Sequence, residues 1–172
     1  MALRLFAALA LPEPIVARLV LLQRDIHGAA WRPPEALHLT LRFFGALDEA
    51  RARDLDGELA MIDEPAFEMR LEGAGSFGGA EPTALWVGAS DERRALPRLA
   101  AACERAARRA GLASQKRAFI PHVTLAYSRG LRDLDAALFN QRYAEFRTEP
   151  FWVEGFTLLS SWPTKTTSRY LE

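Results

Sequence analysis

The chain has one cysteine in 172 residues, Cys103, which excludes an internal disulfide and any zinc site built on paired thiolates. Its setting in LPRLAAACERAARRAG is helical in pattern and points to a small buried thiol. Neither sign of charge is in surplus: 22 Lys and Arg stand against 22 Asp and Glu. A broad electropositive field is therefore absent, and an anionic partner must be met by locally placed arginines. No apolar run comes near the ~18 residues of a membrane span. The start, MALRLFAALALPEP, imitates a secretory leader for a few residues. Cleavage after Ala8-Leu9-Ala10 would fall well short of the roughly 15–30 residues such leaders take, so a cytoplasmic protein is expected. There is no Gly-x-Ser-x-Gly nucleophile elbow and no His-x-His or His-x-x-x-His metal pattern. What is present is ordinary for a soluble globular domain, 49% hydrophobic and 26% charged. The length suits one domain, or two small lobes sharing a core.

Along the chain, Arg4 to Leu9 is a short apolar run stopped by Pro12 and Pro14, a buried strand followed by a turn. PIVARLVLLQRDIHG repeats apolar residues at Ile15, Leu19, Leu22 and Ile26, which predicts a helix closed by Gly28. WRPPE reads as a loop that delivers the chain into the strand ALHLTLRFFG. LDEARARDLDGELAMID is a second helix with Asp48 as its N-cap. FEMRLEGAGSF and TALWVGAS alternate as two strands of a hairpin-like pair. A third helix, DERRALPRLAAACERAARRAG, takes its start from Pro97. The basic loop SQKRAFIP leads to the strand HVTLAYS, then a short helix over Leu134 to Tyr143, then two last strands, FWVEGFTLLSS and TSRYLE.

Strand, helix, strand, helix, strand thus occurs once in each half, which predicts two repeats of roughly 1–83 and 84–172 within a single domain, 1–172. His38 and His122 lie 84 residues apart, and RLEG at Arg70 to Gly73 matches WVEG at Trp152 to Gly155 at an offset of 82.

Two of the three histidines stand two residues before a threonine. In a strand, residues i and i+2 share a face. On strict alternation Leu37, Leu39, Leu41 and Phe43 face the core, while His38, Thr40 and Arg42 face away. In the second copy Val123, Leu125 and Tyr127 oppose His122, Thr124 and Ala126. One such polar face needs no function, but two at duplicated positions bring two imidazoles and two hydroxyls toward one small anionic group. Imidazole is the group whose ordinary pKa lets it act as acid or base near neutrality. A metal is not expected, since neither motif holds a carboxylate or cysteine to complete a ligand set. His27 is expected at the surface near a helix end.

The paired motifs HLTL and HVTL, the RLFAAL strand and the F-x-P-H run before His122 resemble the two-histidine (2H) phosphoesterases. Among them the chain is most similar to the bacterial RNA 2',3'-cyclic phosphodiesterases, also described as 2'-5' RNA ligases. The resemblance covers nearly the whole chain, including PPEALHLTLRFFG, RAFIPHVTLAYS, FTLLSS and SRYLE. Two departures stand out: Ile120 and Tyr127 occupy positions where that family often carries basic residues. The resemblance implies an α+β fold of two pseudo-symmetric lobes, each an antiparallel sheet with helices outside, and an active-site cleft between them. It implies hydrolysis of a terminal 2',3'-cyclic phosphate on RNA or a nucleotide to a 2'-phosphate, with reversal giving 2'-5' ligation. His122 would accept a proton and His38 donate one, with no cofactor and no metal. Thr40, Thr124, Arg117 and Arg42 would bind substrate, with Lys165 and Arg169 as further cations, and Phe6, Phe77, Trp86 or Trp162 would stack a base. A monomer is expected. The alternatives are a phosphodiesterase for a small cyclic phosphate, such as an ADP-ribose cyclic phosphate or a cyclic nucleotide, and a non-catalytic module that binds RNA ends.

Overall fold

The structure is a computed structural model that describes residues 3–163 and 168–171, with side chains as far as Ser161. Strand β1, Leu3–Ala10, leads into helix α1, Glu13–Val20, whose first turn holds Pro14 where no amide proton is needed. A short strand β2, Ala29–Trp31, and a 3-10 turn, Pro34–Ala36, precede β3, His38–Leu47. Helix α2, Glu49–Ala60, follows at once, capped by Asp48, which accepts from the Arg51 amide at 2.9 Å. Strands β4, Phe67–Phe77, and β5, Ala84–Ser90, form the expected antiparallel pair. Helix α3, Ala95–Arg109, leads to β6, His122–Ser128, and α4, Asp133–Arg142, to β7, Phe151–Val153. Strands β8, Thr157–Pro163, and β9, Ser168–Leu171, complete the described chain.

The strands make one sheet in the order β7-β4-β5-β6-β3-β1-β8-β9, with β2 added to β6. The fold is α+β and two-lobed. The first half's last strand, β4, lies in the lobe of β5 and β6, while β8 from the second half lies beside β1. Helices cross over in the same way: α3 packs on β3 and on α2, and α4 packs on β4. Helix α1 reaches the 146–147 segment, where Arg18 donates to the Arg147 carbonyl at 2.8 Å.

Where the lobes meet, the ladder between β3 and β6 is the single pair Leu39 opposite Val123. At the other end of the molecule Glu68 of β4 lies opposite Trp152 of β7. Both pairs are 84 residues apart, the spacing of the two histidines.

Four sequence expectations change. Helix α1 ends at Val20 and not near Gly28, because Gln23 is drawn into the sheet, its amide donating to the carbonyls of Arg32 and Leu125. Leu22 and Ile26 stay buried without a helix to carry them. WRPPE contributes the end of β2 and a 3-10 turn, a strand too short to show in periodicity and held by pairing with β6. FWVEGFTLLSS is two strands, since β7 pairs with β4 and β8 with β1 at opposite edges of the sheet. Helix α3 starts at Ala95, two residues before Pro97, because the Asp91 carboxylate accepts from the Ala95 and Leu96 amides. Among the described residues no helix is long and apolar enough to cross a membrane.

Candidate active site

Leu39 and Val123 are fully buried on the helix-covered face, so their neighbours His38, Thr40, His122 and Thr124 all turn to the opposite face. In the antiparallel register set by Leu39 and Val123, Thr40 falls beside His122 and Thr124 beside His38. Each imidazole is thus matched with the hydroxyl of the other motif.

Each ring is fixed by the carbonyl two residues before it. His122 Nδ1 lies 2.6 Å from the Ile120 carbonyl, which can only accept, so Nδ1 carries the hydrogen and Nε2 is left for the cleft. The His38 ring is hydrogen-bonded in the same way to the Ala36 carbonyl. Aromatics complete the setting. Phe6 stacks on His38 with ring centres 5.0 Å apart, and Phe77 meets His122 edge-on at 4.9 Å with Trp86 at 5.8 Å. These contacts answer what aims each imidazole. Phe6, only 1% exposed, has no free face for a base, whereas Phe77 and Trp86 are half-buried.

Burial, and secondly the Arg32 charge, hold His38 down at about 4 against an ordinary 6.5, with the Ala36 hydrogen bond opposing. His122 is also lowered by burial, with the Ile120 carbonyl opposing. Both rings are therefore neutral at pH 7 in the free protein.

Strict alternation misassigned two pairs of residues, Arg42 with Phe43 and Ala126 with Tyr127. Arg42 is 4% exposed and lies on the helix face, ion-paired to Glu104 of α3 and donating to the Ala113 carbonyl at 2.7 Å. The cause is a bulge: Ala8 pairs with Thr40 but Ala7 with Arg42, leaving Leu41 as an extra residue that reverses the alternation. Arg42 is therefore a structural residue. Phe43, expected in the core, is 60% exposed, with its ring 5.6 Å from that of Phe6 on the cleft side. The bulge recurs at Leu125, between Trp86 paired with Thr124 and Leu85 paired with Ala126, and it turns Tyr127 outward, 49% exposed. Arg117 is exposed on the loop before β6, and among the described residues it makes none of the contacts that fix either imidazole. Lys165 lies outside the described residues, as do the side chains of Trp162 and Arg169.

Sequence reasoning missed Arg32. Its guanidinium donates to the Ala36 carbonyl at 3.3–3.4 Å and stands 5.1 Å from the Tyr127 ring centre. Its location in WRPPE, read as a bare loop, gave no sign of this. Cys103 is buried, and burial pushes its thiol up to about 12, so it stays protonated and inert. His27 is exposed, as expected. Among the described residues no three His, Cys, Asp or Glu side chains cluster as metal ligands would.

Gly75 is a support with no reactive group. It lies directly opposite Trp86, and a β-carbon there would stand 2.3 Å from the indole ring. Replacing Gly75 with alanine is expected to displace Trp86 and, through it, His122. A misplacement near 1 Å can cost about 100-fold in rate, and overpacking roughly 1–3 kcal/mol in stability. Turnover together with a thermal melt of Gly75→Ala checks this, and wild-type values in both would contradict the support.

A family model described as the 2'-5' RNA ligase superfamily matches residues 11–161. The chain is 37% identical over 103 residues to an RNA 2',3'-cyclic phosphodiesterase of Aeropyrum pernix, a match spanning 59% of this chain and 58% of that protein. It is 32% identical to the protein of the same name from Escherichia coli, across 97% of this chain and 92% of the relative. The crystal structure of Escherichia coli LigT complexed with 3'-AMP is similar with a TM-score of 0.78 at 26% identity, covering 99% of this chain and 95% of that one.

Proposed function

Because the chain belongs to the 2'-5' RNA ligase superfamily, of two-histidine phosphoesterases, we propose that it is a phosphodiesterase that opens a terminal 2',3'-cyclic phosphate on RNA to a 2'-phosphate. The observation that carries this reading is the pairing of two histidine–threonine couples on one face, each imidazole tied by one nitrogen to a carbonyl.

In the forward reaction a water oxygen attacks phosphorus in line with the 3'-oxygen. His122 takes the water's proton at Nε2 as the new P–O bond forms. His38 gives a proton to the 3'-oxygen as the P–O3' bond breaks, and solvent exchange then restores both rings. Thr40 and Thr124 donate to the non-bridging oxygens, where charge grows in the transition state. A 5'-hydroxyl in place of water would give a 2'-5' linkage by the same steps. Phe43, exposed beside Phe6, offers the stacking surface for the terminal base. Both motifs come from one chain, so a monomer suffices, and residues 1–83 and 84–172 stand as two copies of one unit. We place the reaction in the cytoplasm.

The test is hydrolysis of 2',3'-cyclic AMP in EDTA, with the product assigned by phosphorus NMR. A 2'-phosphate supports the reading, and a 3'-phosphate overturns the choice of leaving oxygen. The same assay carries a pH prediction. The donor works only when protonated, a fraction that falls above about 4 for His38. The acceptor works only when neutral, a fraction that falls below the lowered value of His122. The profile of kcat/KM reports the free protein, so it should be bell-shaped with its maximum below 6.5. A maximum on the alkaline side of neutrality would contradict it.

A further inference from the structure

The two motifs supply four groups around the phosphate and no fixed positive charge. The chain has no net charge to draw an anion in, and Arg42 is committed to Glu104 on the far side of the sheet. One guanidinium does stand at the junction of the two motifs. The Arg32 amide donates to the Leu125 carbonyl at 2.8 Å, and its carbonyl accepts from Gln23 at 2.8 Å, so its backbone is held from both sides. Its side chain runs over the Tyr127 ring, which belongs to the strand of His122 and Thr124. Its Nε and Nη2 reach the Ala36 carbonyl, the same oxygen that holds the His38 ring. The guanidinium thus touches the framework of both histidines. An exposed aromatic face is a favourable rest for a planar cation. Five donors in a rigid fork suit the paired oxygens of a phosphate.

We propose that Arg32 is the phosphate-binding cation of this site, its guanidinium carried on the Tyr127 ring and taking a non-bridging oxygen of the bound diester. The assignment rests on the phosphoesterase reading and adds a residue from outside both histidine motifs, just past the end of β2. It has a second consequence. Arg32 is the charge that helps hold His38 neutral, so a phosphate that neutralises the guanidinium also makes His38 easier to protonate. Substrate binding then prepares its own proton donor. Other titratable groups lie nearby: Glu13 of α1 and Glu35 of the 3-10 turn line a cavity of about 770 Å³ that His38 also lines, and His122 is on the neighbouring strand β6. Strands β1 and β8 present Ala8, Ala10, Thr157 and Leu159 to that cavity, and β9, which packs on the turn, carries Arg169 and Tyr170.

The test compares wild type, Arg32→Ala, Arg32→Lys and the double variant Arg32→Ala with Tyr127→Arg. Readouts are KM and kcat on 2',3'-cyclic AMP across pH, and the affinity of each protein for 2'-AMP by calorimetry. Arg32→Ala should lose about 100-fold in kcat/KM, bind 2'-AMP about tenfold more weakly, and move the limb set by His38 to higher pH. Arg32→Lys should keep part of the activity. The double variant should regain about tenfold over the single one, because the new guanidinium starts from the residue on which the old one lay. A purely structural Arg32 would lower the melting temperature of Arg32→Ala while leaving its KM, 2'-AMP affinity and pH limb at wild-type values, and that result overturns the proposal. If the wild type turns over no cyclic phosphate, the phosphoesterase reading fails, and the 2'-AMP affinities still decide the role of Arg32.

Discussion

Replacing His122 with alanine, or His38 with alanine, is expected to lower turnover of a 2',3'-cyclic nucleotide by about 100- to 10,000-fold, the usual worth of a general acid or base. The two losses should be similar in size, because each ring has the same construction: a carbonyl on one nitrogen, an aromatic against its face or edge, and a threonine of the other motif beside it. Removing both should cost little more than removing one, since proton acceptance and donation serve a single in-line step. The double variant is therefore as informative as the single ones; additive losses would mean that the rings act in separate steps. Alanine at 122 also leaves space under Phe77 and Trp86, so the glutamine variant is the companion control: it fills that space and cannot titrate. Wild-type turnover in either alanine protein would remove the mechanism. So would activity that appears only with added divalent metal.

Replacing Thr40 or Thr124 with valine keeps the volume and deletes a donor. Each substitution is expected to lower kcat by about 100- to 1,000-fold, as the loss of one oxyanion donor does, with little change in KM. The reasoning is differential. The hydroxyl faces a non-bridging oxygen whose negative charge increases as water adds, so its hydrogen bond is worth more in the transition state than in the complex. Serine at either position should retain most of the rate, because it keeps the hydroxyl. Valine variants with raised KM and unchanged kcat would show that the threonines bind substrate without assisting the reaction. Comparing positions 40 and 124 is useful because the register puts one beside each histidine. A large asymmetry between them would reveal which side of the phosphate carries the greater charge.

The residues legible in the sequence were those whose meaning is local. His38, Thr40, His122 and Thr124 showed themselves by spacing alone, and Asp48 announced its helix through a cap that acts three residues away. What escaped was set by pairing with distant strands. Nothing in HLTLRFF marks Leu41 as an extra residue. The bulge exists because β1 binds β3 in two registers on either side of it, and that one residue exchanged the fates of Arg42 and Phe43. Arg32 escaped for a related reason: its importance comes from β2 joining β6 and from the Tyr127 ring beneath it. Helix α1 was overextended because Leu22 and Ile26 keep a helical spacing while Gln23 serves the sheet. For helix α1 the periodicity identified what is buried and could not say by which element, whereas at Arg42 and Phe43 it reversed the two.

The exchange of β4 and β8 between the lobes has a consequence for how the protein comes to exist. Neither residues 1–83 nor residues 84–172 contain the strands of either lobe, since β4 is needed beside β5 and β8 beside β1. During synthesis the first lobe must wait for β8 before its sheet is complete. Such long-range closure slows folding and makes it one cooperative event. A chain divided between residues 83 and 84 thus carries the complete sheet of neither lobe. Two separately produced halves, by the same logic, are each other's missing strands and should fold only on meeting.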